Sequence, residues 1–387
     1  MTVFDPPYAV DPAPLSALTT LEVGGGPDAL CITTSEAEAI EVAQWSITRG
    51  VRLYPLGGGS NVLCADEGLR GVVLCQRDQT IRYSAPSSRG EVLVEVSAGQ
   101  DWSALVGACV ERDLAGIECL AGIPGQVGAA PIQNIGAYGQ SLSDTCVEVR
   151  LYHLEHQQVE RWTPSQCQWS YRDSAFKRAL GKHLILGLTL RLTLNGAPTL
   201  KYPQLKSTIE ARREAGDDHP SLSLGDVYRE VLALRTTKSM VWDAQDVNRR
   251  SAGSFFLNPI LSAEDGARVV AKARELGYPD PPLWPEPNRE TSPSLHVDAR
   301  SLTPRVKIPA AWLIERSGCT KGYGEGPVGL SSRHTLAIVN RGGATAGEIV
   351  AFAKHIQQRV WECFEVDLCP EPNLWGFMTS PLPPFTL

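Results

Sequence analysis

No apolar run in this chain of 387 residues approaches the roughly 20 residues of a membrane-crossing helix, so no membrane insertion is expected. The start, Met1 to Pro14, has neither a basic n-region nor an apolar h-region. No signal peptide is therefore expected, and the cytoplasm is the expected location. Excess positive charge is lacking too: 36 Lys and Arg stand against 43 Asp and Glu, a formal net charge of −7. That excludes a general polyanion binder, so no nucleic-acid partner is expected. A few local Arg and Lys can still hold a phosphorylated small molecule. No Cys-x-x-Cys pair occurs among the ten scattered cysteines, several of which lie in apolar segments such as Val73-Leu74-Cys75. Disulfides and a metal site are not expected; buried reduced thiols are. Internal repeats and low-complexity tracts are also lacking.

What the chain does have is glycine in two concentrated loops. Residues 121–139 run Ala-Gly-Ile-Pro-Gly-Gln-Val-Gly-Ala-Ala-Pro-Ile-Gln-Asn-Ile-Gly-Ala-Tyr-Gly, with no charged side chain and glycine at Gly122, Gly125, Gly128, Gly136 and Gly139. Glycine interrupts it too often for a stable helix, and its middle is too polar for a plain buried strand. It offers approachable backbone N–H groups and the amides of Gln133 and Asn134, which suit a flat polar ligand or a pyrophosphate. Alone, it reads more simply as a glycine-rich surface loop. The second loop, Gly57-Gly58-Gly59-Ser60-Asn61, starts about 65 residues upstream. It is neither a Walker loop nor G-x-G-x-x-G. Two such loops point to a dinucleotide clamped between two subdomains.

With 387 residues, 43% of them hydrophobic, the chain has room for two or three domains and a substantial core. Residues 1–17 are Pro-rich and irregular. Ser35 and Glu38 make a capping box for a helix with Ile40, Ala43 and Ile47 on one face and Gly50 at its end. Strands are expected at 51–56, 71–75, 92–96, around 147–151 and at 185–192. Asp101 caps a helix from Trp102 to about Asp113. Residues 196–250 read as polar and mostly helical. A further helix opens at Ser262/Asp265 and ends at Gly277, and 278–294 read as loop. Residues 310–316 read as helix and 334–340 as strand. Thr345/Glu348 caps a helix carrying Ile349, Phe352, Ile356, Val360 and Phe364.

Several motifs resemble those of UDP-N-acetylenolpyruvoylglucosamine reductases. Pro55-Leu56-Gly57-Gly58-Gly59-Ser60-Asn61-Val62-Leu63 resembles that family's first flavin-binding segment, and the run from Gly122 to Gly139 its second. Tyr171-Arg172-Asp173-Ser174-Ala175-Phe176-Lys177, Ala252-Gly253-Ser254-Phe255-Phe256-Leu257-Asn258-Pro259 and Ala311-Trp312-Leu313-Ile314-Glu315 also match, as more weakly does Leu368-Cys369-Pro370-Glu371. They occur in the family's order across nearly the whole chain. The resemblance implies an α+β fold: two FAD-binding subdomains of the vanillyl-alcohol-oxidase (PCMH) type and a C-terminal α+β substrate-binding domain. We expect residues 1–75 in the first subdomain, with 375–387 as an optional addition. The second would span 76–245 with a substrate-loop insertion, and the substrate domain 246–374. The implied cofactors are FAD and NADPH. The implied reaction transfers hydride from NADPH through FAD to the enolpyruvyl double bond of UDP-N-acetylglucosamine enolpyruvate, giving UDP-N-acetylmuramate in peptidoglycan synthesis. Small molecules are the expected partners, and a monomer the expected state.

By the same resemblance, the flavin contacts fall on Gly57, Gly58, Gly59, Ser60, Asn61, Gly122, Gly125, Gly128, Ala129, Gln133, Asn134, Gly136, Ala137, Tyr138 and Gly139. Hydride addition beta to a carboxylate pushes electrons into an enolate, which must be stabilised where it develops. Arg172 would present a planar charged fork to the carboxylate. Glu371 would act protonated or through a hydrogen bond to the enol, and Ser254 would deliver the proton to the alpha carbon, its hydroxyl polarised by neighbours. Tyr171, Arg235, Lys238, Asn258, Lys307 and Arg316 would contact substrate. Tyr202 fits the tyrosine that, in one class of the family, closes over the uridine diphosphate, and the insertion between Leu192 and Asp226 is long enough for that loop.

Without the resemblance, the residues read more plainly. Arg172 beside Asp173 is an ion pair, Ser254 a turn residue, Glu371 a solvated loop carboxylate, and Lys238 and Lys307 surface lysines. The chain departs from the family at Leu257, commonly Lys, at Arg316, commonly Gln, and at Thr19-Thr20-Leu21, where Asn before Thr-Phe is usual. Two other functions stay open. One is an FAD oxidase of the same cofactor-fold class, which typically needs a His or Cys near the first loop for covalent flavin; Cys64 is there, and no His. The other is a flavin-free sugar-nucleotide-binding protein.

Overall fold

The computed structural model describes residues 5–214, 222–286 and 304–383. Part of the expected loop 278–294 lies outside them. The chain forms two compact units. The first comprises 1–13, 26–59 and 69–243, the second 14–25, 60–68 and 244–387. Both mix helix and strand, an α+β architecture.

The first unit holds two sheets. In the smaller, the strands Pro27–Thr33, Leu69–Gln76 and Leu53–Pro55 run parallel in that spatial order, with Ala9–Val10 antiparallel at the edge. The helix Glu36–Arg49 connects two of them. The Ser35 hydroxyl accepts from the Glu38 N–H, but the Glu38 carboxylate reaches back to the N–H of Thr34 rather than of Ser35. Its buried face is Ala39, Val42, Ala43 and Ser46, with Ile40 and Ile47 only partly covered, because the sheet beneath takes the smaller side chains. The parallel strand Leu53–Pro55 runs straight into the first glycine loop, so the loop sits at a strand's carboxyl end, the usual ligand side of a parallel sheet.

The larger sheet is antiparallel, in the spatial order Gln158–Trp162, Cys146–His153, His183–Leu194, Glu91–Ser97, Ile81–Tyr83. The helix Trp102–Val110, with its N-terminal amide held by Asp101, packs on it through Trp102, Leu105, Val106 and Cys109. The helix Leu224–Thr236 joins the same core through Val227, Val231 and Leu234, packed against the helix Trp102–Val110 and the turn at Glu118–Leu120. A second helix of the polar region is Pro203–Glu214.

The second unit is built on the helix Ala346–Phe364, capped by Thr345 and Glu348. Its Ile349, Ala353, Ile356, Val360 and Phe364 are buried with Leu313, Ile314, Phe255 and Phe256. The helices Ala263–Glu275 and Ala310–Arg316 fall where the caps and periodicity put them. Two expectations need correction. Residues 334–337 form a turn, closed by the Ala337 N–H on the His334 carbonyl (3.2 Å), leaving only Ile338–Asn340 as strand. Trp284–Glu286 is a strand rather than loop, antiparallel to Arg305–Lys307. Pro285 is tolerated because this strand is at the sheet's edge. No disulfide joins the ten cysteines, and eight of them are buried.

Candidate active site

The two glycine loops meet at the backbone within the first unit. A methyl group on Gly58 would lie 2.8 Å from the Cα of Gly125, and one on Gly57 would lie 3.3 Å from the Ala129 side chain. Only residues without bulk allow that approach. The second loop is also stitched to the link between the strand Glu91–Ser97 and the helix Trp102–Val110: Trp102 donates to the Gly125 carbonyl, Val127 to Gln100 and Gly128 to Ala98 (3.0, 2.9 and 2.9 Å). Gln126 adds side-chain bonds to the carbonyls of Gln76 and Gly99. Several loop amides thus serve the fold itself, a use that glycine content alone does not reveal. Farther along, Gly136–Ala137 pairs with Gln140–Ser141, and Tyr138 beside it takes Tyr202 edge-on at 5.1 Å. Gly139 lies against Lys201 and Tyr202. Burial raises the phenol pKa of both tyrosines.

Arg172 sits in a tight turn closed by reciprocal bonds between Ser170 and Asp173. Its φ is +51°, a left-handed conformation that side chains adopt at a cost of about 1–3 kcal/mol. The turn is bound to the second glycine loop at several points. The Arg172 Nη2 donates to the Gly136 carbonyl (2.8 Å), Asn134 Nδ2 to Ser170 (3.1 Å), Trp169 Nε1 to Pro131 (2.9 Å) and the Ser174 hydroxyl to Ile132 (2.8 Å). Lys177 Nζ bridges the Arg172 carbonyl and Gln133 Oε1 (3.0 and 3.2 Å). Asp173 pairs with Arg178, so the plain ion pair between neighbours 172 and 173 is not what the carboxylate makes. Arg235 stands close enough to Arg172 for the two guanidinium charges to repel. Burial, first, and then that repulsion push Arg235 down to about 10. It donates to the Met240 carbonyl (2.7 Å), while its buried Nε has no partner among the described residues. Lys238 lies 5.9 Å above the Tyr138 ring and donates to Gln204. Two guanidinium groups beside a neutral glycine loop form a locus for an anion.

In the second unit, three segments run side by side. Phe255 donates to Leu336, and Glu371 donates to the Phe255 carbonyl (2.7 and 2.9 Å); Leu257 donates to Cys369 (2.9 Å). The strand Asn373–Trp375 runs parallel to Val62–Cys64, and Asn373 donates to the Asn61 carbonyl (3.0 Å). The peptides bearing Ser254, Glu371 and Asn61, far apart in sequence, are therefore neighbours. Ser254 and Glu371 are half-buried. The hydroxyl of Thr20 donates to the Ser251 carbonyl (2.6 Å), which ties the departing Thr19-Thr20-Leu21 segment to the same place. Asn258 Oδ1 accepts from the Ala310 N–H (2.9 Å) and so caps the helix Ala310–Arg316. Lys307 lies in the strand opposite Ile260. Arg316 lies over the Tyr278 ring at 5.3 Å, with a buried Nε that has no partner among the described residues.

Two other features look like ligand sites and are built otherwise. Gly324, Gly326 and Gly329 have dinucleotide-fingerprint spacing, but lead into the strand Val328–Leu330 and not into a helix. His153, His156 and Glu160 hold potential metal-ligand atoms within 4.8 Å of one another. The two imidazoles stack with rings 3.7 Å apart and 10° from parallel, and His156 Nδ1 is engaged by Glu160 at 2.7 Å. The cluster is thus a stacked, hydrogen-bonded hairpin end.

A family model for an FAD-binding domain matches residues 27–155, and one for the C-terminal domain of UDP-N-acetylenolpyruvoylglucosamine reductase matches 245–375. The chain is 39% identical over 366 residues to the UDP-N-acetylenolpyruvoylglucosamine reductase of Thermobifida fusca, covering 94% of this chain and 97% of that one. It is 38% identical to the enzyme of the same name from Streptomyces avermitilis, with 94% of each covered. Among solved structures, a UDP-N-acetylenolpyruvylglucosamine reductase from Thermus caldophilus shares the fold, with a TM-score of 0.61, 23% identity and coverage of 95% and 99%.

Proposed function

We infer the reaction from one premise: the chain belongs to the UDP-N-acetylenolpyruvoylglucosamine reductase family. It is an FAD-dependent oxidoreductase that reduces UDP-N-acetylenolpyruvoylglucosamine in peptidoglycan synthesis. We propose further that NADPH is the reductant, that UDP-N-acetylmuramate is the product, and that the enzyme works as a cytoplasmic monomer.

The residues fit the cofactor. At Gly57, Gly58 and Gly128 a Cβ would run into Ala129, the Gly125 backbone and Ala98, so the two loops close on each other as bare backbone, and that bare backbone is what a pyrophosphate can approach. In this reading residues 57–61 and 122–139 hold FAD, which when bound supplies the hydride to the enolpyruvyl double bond. Arg172 grips the substrate carboxylate, and Arg235 adds a second positive charge that grows in value as the enolate forms. Ser254 donates the proton to the alpha carbon. A serine hydroxyl is too weak an acid unaided, and Glu371, on the neighbouring peptide, is the group we assign to its support and to the enol. Tyr202 covers the uridine diphosphate, with Lys238 as a charge for the phosphates; Tyr171, Asn258, Lys307 and Arg316 complete the substrate contacts. The observation that carries the reading is the Arg172 turn bonded directly to the glycine loop that abuts the first one. Anaerobic NADPH should bleach the flavin spectrum, and the enolpyruvyl sugar should restore it. Bleaching without recovery removes this substrate; failure to bind FAD removes the enzyme.

A further inference from the structure

We propose that Lys177 is a positioning residue for Arg172, holding its guanidinium in register with the second glycine loop. This rests on the reading of Arg172 as the carboxylate-binding group. Lys177 opens no site of its own. It belongs to the short helix Ala175–Arg178, whose first turn is capped by Ser174 accepting from the Lys177 N–H at 3.0 Å. The same Ser174 hydroxyl donates to Ile132 of the glycine loop. The helix therefore starts from the loop, and the Lys177 chain returns to it.

Its ammonium donates to the Arg172 carbonyl at 3.0 Å and to Gln133 Oε1 at 3.2 Å. The first bond holds a residue at φ +51°, a conformation that needs outside support. If the turn relaxes, the guanidinium that donates to Gly136 moves with the backbone. The second bond fixes which end of the Gln133 amide faces the ammonium. One cation thus ties the carboxylate-binding turn and the loop assigned to flavin into one rigid piece. A hydrogen bond from a charged donor to a half-buried acceptor is among the stronger kind, and a misplacement of a binding group on the order of 1 Å can slow a reaction by roughly a hundredfold.

The test measures the two half-reactions separately in Lys177→Met, Lys177→Arg, Arg172→Met and the double variant, with the spectral shift of bound flavin on adding substrate read alongside. We expect Lys177→Met to slow flavin reoxidation by the enolpyruvyl sugar roughly tenfold or more and to weaken the substrate-induced spectral shift, with partial rescue in Lys177→Arg. Added to Arg172→Met, it should cost little more, because both act through one guanidinium. If Arg172→Met is severe and Lys177→Met matches wild type, or if the two losses multiply, the positioning role is wrong and the role of Arg172 stands. If Arg172→Met itself leaves reoxidation intact, the reading beneath both fails.

Discussion

Arg235 and Ser254 can each be tested by a single substitution. Arg235 is buried beside Arg172, meets no carboxylate among the described residues, and keeps a buried Nε without a partner. Such a charge weakens the fold unless a ligand anion joins it. Arg235→Met should therefore raise thermal stability by about 1 kcal/mol in the absence of substrate while raising KM for the enolpyruvyl sugar. Loss of both stability and affinity would show that Arg235 serves the fold. For Ser254→Ala, flavin reduction by NADPH should persist, and reoxidation by substrate should fall about 10²–10⁴-fold, the usual worth of a positioned proton donor. Equal loss in both half-reactions counts against the assignment. Arg172, Ser254 and Glu371 were legible only through motifs. Nothing local told Arg172 from a partner of Asp173; the structure gives that carboxylate to Arg178. Lys177 stood in the same motif, three residues after the Ser174 cap, but its bond to a loop forty residues upstream left no local mark.

Among elements, the hairpin of Cys146–His153 and Gln158–Trp162 against His183–Leu194 has a pH dependence that its sequence hides. His183 pairs with His153 in register and packs against Trp162 and Phe176. Burial, and then the neighbouring His153, push it down to about 4. The unfolded chain takes that proton near pH 6.5, so the neutral folded ring is favoured above that value and its contribution is lost as pH falls toward 4. Glu160, held down to about 2 chiefly by its bond from His156, contributes above the ordinary carboxylate range and loses that contribution as pH falls through about 2. We expect stability to drop on the order of 1–2 kcal/mol between pH 6.5 and 4, a value discounted for partial exposure, and His183→Phe to flatten that limb. Melting curves across pH would check it; an unchanged slope in the variant would clear His183 of the effect. Helices were the legible elements, because caps and period lie within a few residues. The strand Pro27–Thr33 was not, since it alternates poorly and opens on proline.

For the whole molecule, cofactor binding should appear as stability. A ligand held only by the folded chain adds about 4 kcal/mol at a thousandfold excess over its Kd. Stripping FAD should lower the melting temperature by several degrees, and adding it back should restore it in a concentration-dependent way. Gly58→Ala, whose new methyl meets the Gly125 backbone at 2.8 Å, should shrink that shift. A melting temperature indifferent to FAD would argue against these loops as its seat. Each unit buries an apolar core of its own, and segments 14–25 and 60–68 belong with the C-terminal unit, an exchange of chain invisible to a reading in sequence order.

By itself the sequence determined what is local: the capped helices at 263–275 and 346–364, the two uncharged glycine loops, and an ordered series of motifs specific enough to mark the family. Helix caps, turn glycines and 3.6-residue periodicity are all written within a few positions. Only the tertiary structure decided which loops touch, which arginine Asp173 takes, and that Ser254 lies beside Glu371. Those contacts join residues far apart along the chain, and among many pairings of similar local merit the chosen one is set by the burial and hydrogen bonding of the folded whole.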